Sequence, residues 1–172
     1  YNTNARAMLY RTDIFEEYGL EVPTTWTDFI ETARKITELT NGEVHGAYLV
    51  SEVGDPRGAQ EFISWVYQVN NGENIFSVAE DGSVSFDVTV EQLEQVLTLY
   101  DELFKVEGVE FPGVDPNVRG TGWPVEDPGY VEGKWAMVPM GPWLWGRRAD
   151  SETAADILEN KTGITSLPVS ED

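Results

Sequence analysis

The sequence predicts an α/β or α+β domain in which helix is the larger share. Two long segments repeat large apolar residues at helical spacing. They are Trp26, Phe29, Ile30, Ala33 and Ile36, and then Leu93, Val96, Leu97, Tyr100 and Phe104. Short apolar runs lie between and after them, at Ala47 to Val50 and Trp135 to Val138, and these read as buried strands. The length of 172 residues suits one domain, and an apolar fraction of 41% is enough to build a core.

Taken in order, Tyr10 to Tyr18 predicts a short helix, with Asp13 near its start and Gly19 as its stop. Pro23-Thr24-Thr25 leads into the first strong helix. Thr25 is its expected N-cap and Asp28 completes a box-like start, while Asn41-Gly42 ends it. Gln60 to Val69 predicts a helix rich in large apolar groups, closed by Asn70-Asn71-Gly72. Asp81-Gly82 is a turn signal between strand candidates at Ile75-Phe76 and Val84 to Phe86. Val90 to Phe104 is the second strong helix. Residues 107–128 are punctuated by Pro112, Pro116, Pro124 and Pro128 and read as loop. Gly141-Pro142 opens a turn or short helix carrying Trp143 and Trp145. Thr153 to Asn160 predicts a helix, and Ile164 to Leu167 a last strand before Pro168.

Charge excludes several partners. Eleven basic against 31 acidic residues give a formal charge of −20. Nucleic acid and anionic lipid both demand a basic face, so neither is an expected partner. At low salt such a charge repels itself, and at about 1 M salt the Debye length shrinks to about 3 Å and screens it. The acids are spread along the chain and the lysines are few, which reads as adaptation to high salt. The chain has no cysteine, so disulfides, thiolate nucleophiles and cysteine–zinc sites are excluded. No apolar run is long enough to span a bilayer.

Catalytic and metal signatures are sparse. His45 is the only histidine, and it sits beside Gly46 at an expected strand edge, where a structural role is expected. There is no Gly-x-Ser-x-Gly elbow. Gly120-Thr121-Gly122 is too short for a phosphate loop and lacks its lysine, and Asp81 and Asp87 do not form the calcium-loop pattern. No metal ligand, catalytic residue or cofactor is expected.

Three stretches, in order and over nearly the whole chain, carry a resemblance. The first is Leu9-Tyr10-Arg11-Thr12-Asp13-Ile14-Phe15, followed by Tyr18-Gly19-Leu20, Pro23 and Thr25-Trp26. The second is Gly133-Lys134-Trp135-Ala136-Met137 with Gly141-Pro142-Trp143. The third is Ile164 to Pro168. Together they resemble the family 1 extracellular solute-binding proteins, of the maltose- and glycerol-phosphate-binding type. Tyr130 stands where that family usually has phenylalanine, and Trp135 where a small residue is common. The resemblance implies that residues 1–172 are the C-terminal, inserted lobe of a two-lobe protein of the type II periplasmic-binding-protein fold. That lobe is helix-rich α/β with a short mixed sheet, and the N-terminal lobe and hinge are not in this sequence.

Function follows as an implication of the same resemblance. A monomeric protein at the outer face of the cell membrane, secreted or lipid-anchored, captures a sugar, polyol or glycerol phosphate between its lobes. It then delivers the ligand to the permease subunits of an ABC transporter. A sugar offers an apolar C–H face and a rim of hydroxyls, which an aromatic plate and amide, carboxylate or guanidinium groups match. Trp143 is the expected stacking residue and Trp145 the second of the pair. Gln60, Glu61 and Phe62, at the start of the third helix, are expected to reach the cleft. Asn4 and Arg6 are expected where the chain leaves the hinge, and Trp123 in the loop-rich segment. A glycoside hydrolase would need two carboxyls about 5–10 Å apart, and with 31 acids such pairs are guaranteed and uninformative. A stand-alone carbohydrate-binding module would be mostly β, which the two strong helices oppose.

Overall fold

The structure is a computed structural model. It describes residues 6–171 apart from 53, 106–109, 119–122 and 149–150, and for 123–126 and 148 it describes the backbone alone. The elements run β1 (Ala7–Arg11), α1 (Thr12–Tyr18), α2 (Trp26–Leu39), β2 (His45–Ala47), α3 (Pro56–Val69), β3 (Phe76–Val78), β4 (Val84–Phe86) and α4 (Val90–Phe104). After these come α5 (Trp123–Val131), β5 (Trp135–Met140), α6 (Trp143–Arg148), α7 (Glu152–Asn160) and β6 (Thr162–Thr165). The predicted mixture of helices and short strands is the one found.

Four strands form a mixed sheet in the order β2-β5-β1-β6. β2 runs parallel to β5, while β1 is antiparallel to both β5 and β6. The sheet separates two cores. Met8 and Met137 belong to the core packed by α1, α2, α3 and α4, with Phe29, Ile36, Trp65 and Leu103 fully buried in it. Leu9, Val138 and Met140 belong to the other, with Tyr130, Leu144, Ile157 and Leu158 from α5, α6 and α7. Neighbouring strand residues therefore feed opposite layers, as the two-residue strand period requires. Trp65 lies between Trp26 and Phe29, with ring centres 6.1 Å from each. Truncating so large a buried ring costs about 3–5 kcal/mol.

The strong helices start where their caps place them. The Thr25 hydroxyl accepts from the Asp28 amide at 3.2 Å. Thr89 and Gln92 form a reciprocal capping box at the head of α4. α2 packs so closely on β2 that a Cβ at Gly46 would collide with the Ala33 backbone. The Gly46 amide donates instead to the buried Thr37 hydroxyl at 3.1 Å.

Several expectations require correction. Tyr10 and Arg11 belong to β1 and not to the first helix, because Tyr10 pairs with Met137 and Gly163 and Arg11 with Thr162. α3 begins four residues before Gln60, where Asp55 caps it and Pro56 takes the first helical position. The first buried strand is centred earlier: β2 ends at Ala47, and Tyr48 to Val50 are buried but outside it. The last strand also lies earlier, at Thr162–Thr165. The proline-rich segment read as loop contains α5, with Pro128 inside it. Arg11, itself buried, ties β1 to α5 by donating to the Tyr130 carbonyl at 3.2 Å, and it clasps Asp13 with two further bonds.

Candidate functional site

Three segments converge at one end of the sheet. The first is Arg6, immediately before β1. The second is the opening of α3, where the Asp55 carboxylate accepts from the Arg57 amide at 2.8 Å and starts the helix. Gln60 and Glu61 follow within the next turn. The third is α6, whose first residue is Trp143. Leu144, fully buried, anchors that helix in the second core. A Cβ at Gly141 would collide with the Trp143 ring, so glycine is what lets the indole lie back over the backbone.

The geometry assembles around the indole. The Arg6 guanidinium lies over the Trp143 ring, 5.7 Å from its centre, and that of Arg147 lies 6.0 Å from it. Both distances are in the range of cation–π attraction. Arg6 donates to the Gln60 side-chain oxygen at 3.0 Å and pairs with Glu61 at 3.9 Å. Arg147 pairs with Asp127 of α5 through two nitrogens, at 2.8 and 3.1 Å. Asp127 is fully buried and Glu61 is 1% exposed.

Glu61 is the hub of a buried network. It accepts from the Val50 amide at 3.1 Å and from the Tyr100 hydroxyl at 3.3 Å, besides holding Arg6. Burial pushes the Tyr100 phenol well above its usual range, and the neighbouring Glu61 charge adds to that. The phenol therefore stays protonated and remains a donor. A charge this deep is tolerated because an amide and a hydroxyl hydrogen-bond it and the Arg6 guanidinium offsets it.

The expected site residues divide as follows. Trp143, Gln60, Glu61 and Arg6 are brought into one cluster. Phe62, on the same turn of α3, meets Tyr100 with ring centres 5.9 Å apart. There it lines an apolar groove of about 630 Å³ with Pro56, Ala59 and Leu97. Trp145 is partly buried against the second core. Trp123 opens α5, but its side chain lies outside the described residues, as does Asn4. A second groove, of about 430 Å³, runs from Arg6 and Gln60 along Ile63, Ser64 and Tyr67 to Leu167.

Sequence reasoning missed Arg147 and Asp127. Arg147 was legible, since a position four residues after Trp143 shares its helical face. Asp127 carried no signal, because its helix hides in the proline-rich stretch. His45 lies elsewhere, 3.7 Å from Asp115. Among the described residues no group of three or more histidines and acids could hold a metal ion, and no helix is long and apolar enough to cross a membrane.

The arrangement offers an aromatic plate, two guanidiniums and an amide. The two carboxylates at its base are each committed to an arginine.

No curated protein matches the chain by sequence. Among solved structures, the GacH receptor of Streptomyces glaucescens, determined unliganded and with acarbose and an acarbose homolog, superposes with a TM-score of 0.70 at 23% identity. The match covers 96% of this chain and 38% of that one. Maltose-bound MalE3 of T. maritima gives 0.70 at 18% identity, again over 96% of this chain and 38% of its own. A D-mannitol-bound ABC transporter solute-binding protein from Agrobacterium vitis gives 0.64 at 22%, over 96% and 37%. This chain thus spans well under half the length of those proteins, and at such identities the likeness establishes the fold, that of the type II periplasmic-binding proteins. The profile of the bacterial extracellular solute-binding proteins matches residues 1–169. With 169 of 172 positions matched, the chain belongs to the bacterial extracellular solute-binding protein family.

Proposed function

We propose that this chain is the C-terminal lobe of a two-lobe binding protein that captures a sugar, polyol or glycerol phosphate and hands it to an ABC import permease. The observation that carries the reading is the Arg6–Trp143–Arg147 cluster with Gln60 beside it. A half-buried indole flanked by donors matches a sugar's C–H face and its hydroxyl rim. Arg6 and Gln60 also line a groove beside this cluster, offering further contact surface for such a ligand. Acarbose, maltose and mannitol in the structural relatives support the ligand class.

In this reading the lobe is one wall of a cleft, and closure of the second lobe over the ligand produces the state the permease recognises. The protein captures without turnover. It works as a monomer at the outer face of the membrane, held there by a lipid anchor or released, in a salt-rich medium that screens its charge of −20.

The test is a titration of the two-lobe protein in about 1 M salt with sugars, polyols and glycerol phosphates, followed by tryptophan fluorescence and by a product assay. Saturable binding without products, weakened at least about tenfold by Trp143→Ala (about 1.4 kcal/mol), supports the reading. Turnover of a sugar replaces it with a glycoside hydrolase, and binding unchanged by the substitution moves the site away from Trp143.

A further inference from the structure

The end of α7 carries a motif that ligand capture does not use. The chain holds eight asparagines, and only Asn160 is followed two residues later by a hydroxyl side chain, in Asn160-Lys161-Thr162. Asparagine, any residue but proline, then serine or threonine is the pattern at which secreted chains accept an oligosaccharide.

The fold puts this tripeptide at the surface. Asn160 is the last residue of α7 and is exposed. Its side-chain nitrogen donates to Asp156, one turn back, at 2.9 Å, and Asp156 also pairs with Lys161 at 2.8 Å. These are surface contacts that exchange readily with water. Thr162 opens β6, and its hydroxyl turns inward. It donates to the Ile157 carbonyl at 2.8 Å and accepts from the Tyr130 hydroxyl at 3.1 Å.

β6 supplies a second, independent observation. It is an edge strand, paired with β1 and, among the described residues, with no other strand. Open edges are usually guarded by charge or proline, and Thr162-Gly163-Ile164-Thr165 has neither. Ile164 is 62% exposed. The strand period puts Ile164 on the face of Thr162, which is the face that bonds α7. The end of α7 and the exposed isoleucine therefore share one side of the sheet, beside an unguarded edge.

We infer that Asn160 is the acceptor of an N-linked oligosaccharide, and that this glycan shields the edge of β6 with Ile164. The inference rests on membership of an extracellular family and not on the capture reading. The donor is an oligosaccharide carried on a polyprenyl phosphate. The Asn160 side-chain nitrogen forms a bond to the anomeric carbon, and the bond from that carbon to the phosphate oxygen breaks. The lipid phosphate leaves with the electron pair, and the amide gives one proton to a base of the transferase. Nothing is oxidised or reduced. Transfer precedes the docking of Thr162 on Tyr130, because the threonine hydroxyl must be open to the transferase.

The experiment uses the two-lobe protein purified from its own cells. Mass spectrometry of the peptide containing Asn160 is expected to show an added oligosaccharide on that residue. Thr162→Ser should keep the added mass, while Thr162→Ala and Asn160→Gln should lose it. Thr162→Ala also gives up the bonds to Ile157 and Tyr130, so Asn160→Gln, at the surface and with an unchanged circular dichroism spectrum, is the cleaner variant. An unmodified Asn160 in the wild-type protein overturns the inference. Sedimentation in about 1 M KCl reads the shielding. Asn160→Gln should self-associate at concentrations at least about tenfold lower than wild type (about 1.4 kcal/mol), and Ile164→Lys added to it should restore the monomer. Equal sedimentation of a glycosylated wild type and Asn160→Gln overturns the shielding. The capture reading stands or falls separately, on the ligand titration.

Discussion

Arg6 and Trp143 are 137 positions apart, yet the guanidinium of one lies over the indole of the other, 5.7 Å from its centre. The contact joins the segment before β1 to the first residue of α6, so it depends on both β1–β5 pairing and the backbone at Gly141. That dependence makes the glycine a sensitive handle. Gly141→Ala places a methyl group where the ring lies. The ring must then leave its position while Leu144 still anchors α6. Ligand affinity is expected to fall at least about tenfold, comparable to Trp143→Ala, with an unchanged far-ultraviolet circular dichroism spectrum and an altered tryptophan signal in the near ultraviolet. Equal affinity in Gly141→Ala and wild type would mean that the indole's placement is irrelevant to binding.

Glu61 gives the second prediction. Its carboxylate has three partners from three separate stretches of the chain. Glu61→Ala removes it and leaves a buried guanidinium, an amide and a phenol to find new partners. A loss of about 3–5 kcal/mol is expected, as when one member of a buried ion pair is deleted. Tyr100→Phe deletes one bond and keeps the rest, so it should cost about 1 kcal/mol. Urea unfolding of both variants measures this, and nearly equal midpoints would show that the network is not coupled as drawn.

How much of this was legible beforehand depends on whether a feature is local. α4 was readable from end to end because its apolar face repeats regularly, and the Thr89–Gln92 capping box that starts it is local too. β1 was not, because five residues of mixed character become a central strand only when β5 and β6 flank them. α5 was hidden by Pro124 and Pro128, residues that argue against helix in isolation. The same division runs through the site. Trp143, Gln60 and Arg6 came from the family resemblance, whereas the Arg147–Asp127 pair joins residues of two helices 20 positions apart. Phe62 and Trp145 show the reverse problem, since a sequence names an aromatic residue without telling which layer its ring enters. Phe62 turned toward Tyr100.

Asp13 makes a prediction in pH. Burial raises its pKa, but hydrogen bonds and charge from Arg11, with the Ile14 amide, outweigh this and hold the carboxyl below its ordinary 3.8. A carboxyl depressed in the folded state contributes stability above its unfolded pKa, and that contribution is lost as pH falls through the folded one. Wild type should therefore lose stability on acidification below about pH 4 more steeply than Asp13→Asn, while the variant is the less stable of the two at neutral pH. Thermal unfolding between neutral and acid pH gives both slopes. Parallel slopes would remove Arg11–Asp13 from the acid response.

The final prediction concerns salt. With 31 acids against 11 basic residues, the folded surface holds like charges closer together than the unfolded chain does. Between about 0.1 M and 1 M KCl the Debye length falls from about 10 Å to about 3 Å. Repulsion across the fold should then fade, while close pairs such as Arg147–Asp127, shielded by burial, persist. The unfolding temperature is expected to rise by several degrees, roughly 2–4 °C for each kcal/mol gained in a domain of this size. The rise should be steepest at the low end, where screening changes most, and it should flatten toward 1 M. Sucrose at matched osmolality provides the control, since it excludes itself from the surface without screening charge. A flat response to KCl, or an equal response to sucrose, would show that the acidic surface does not govern stability and would remove the physical basis for reading this composition as an adaptation to salt.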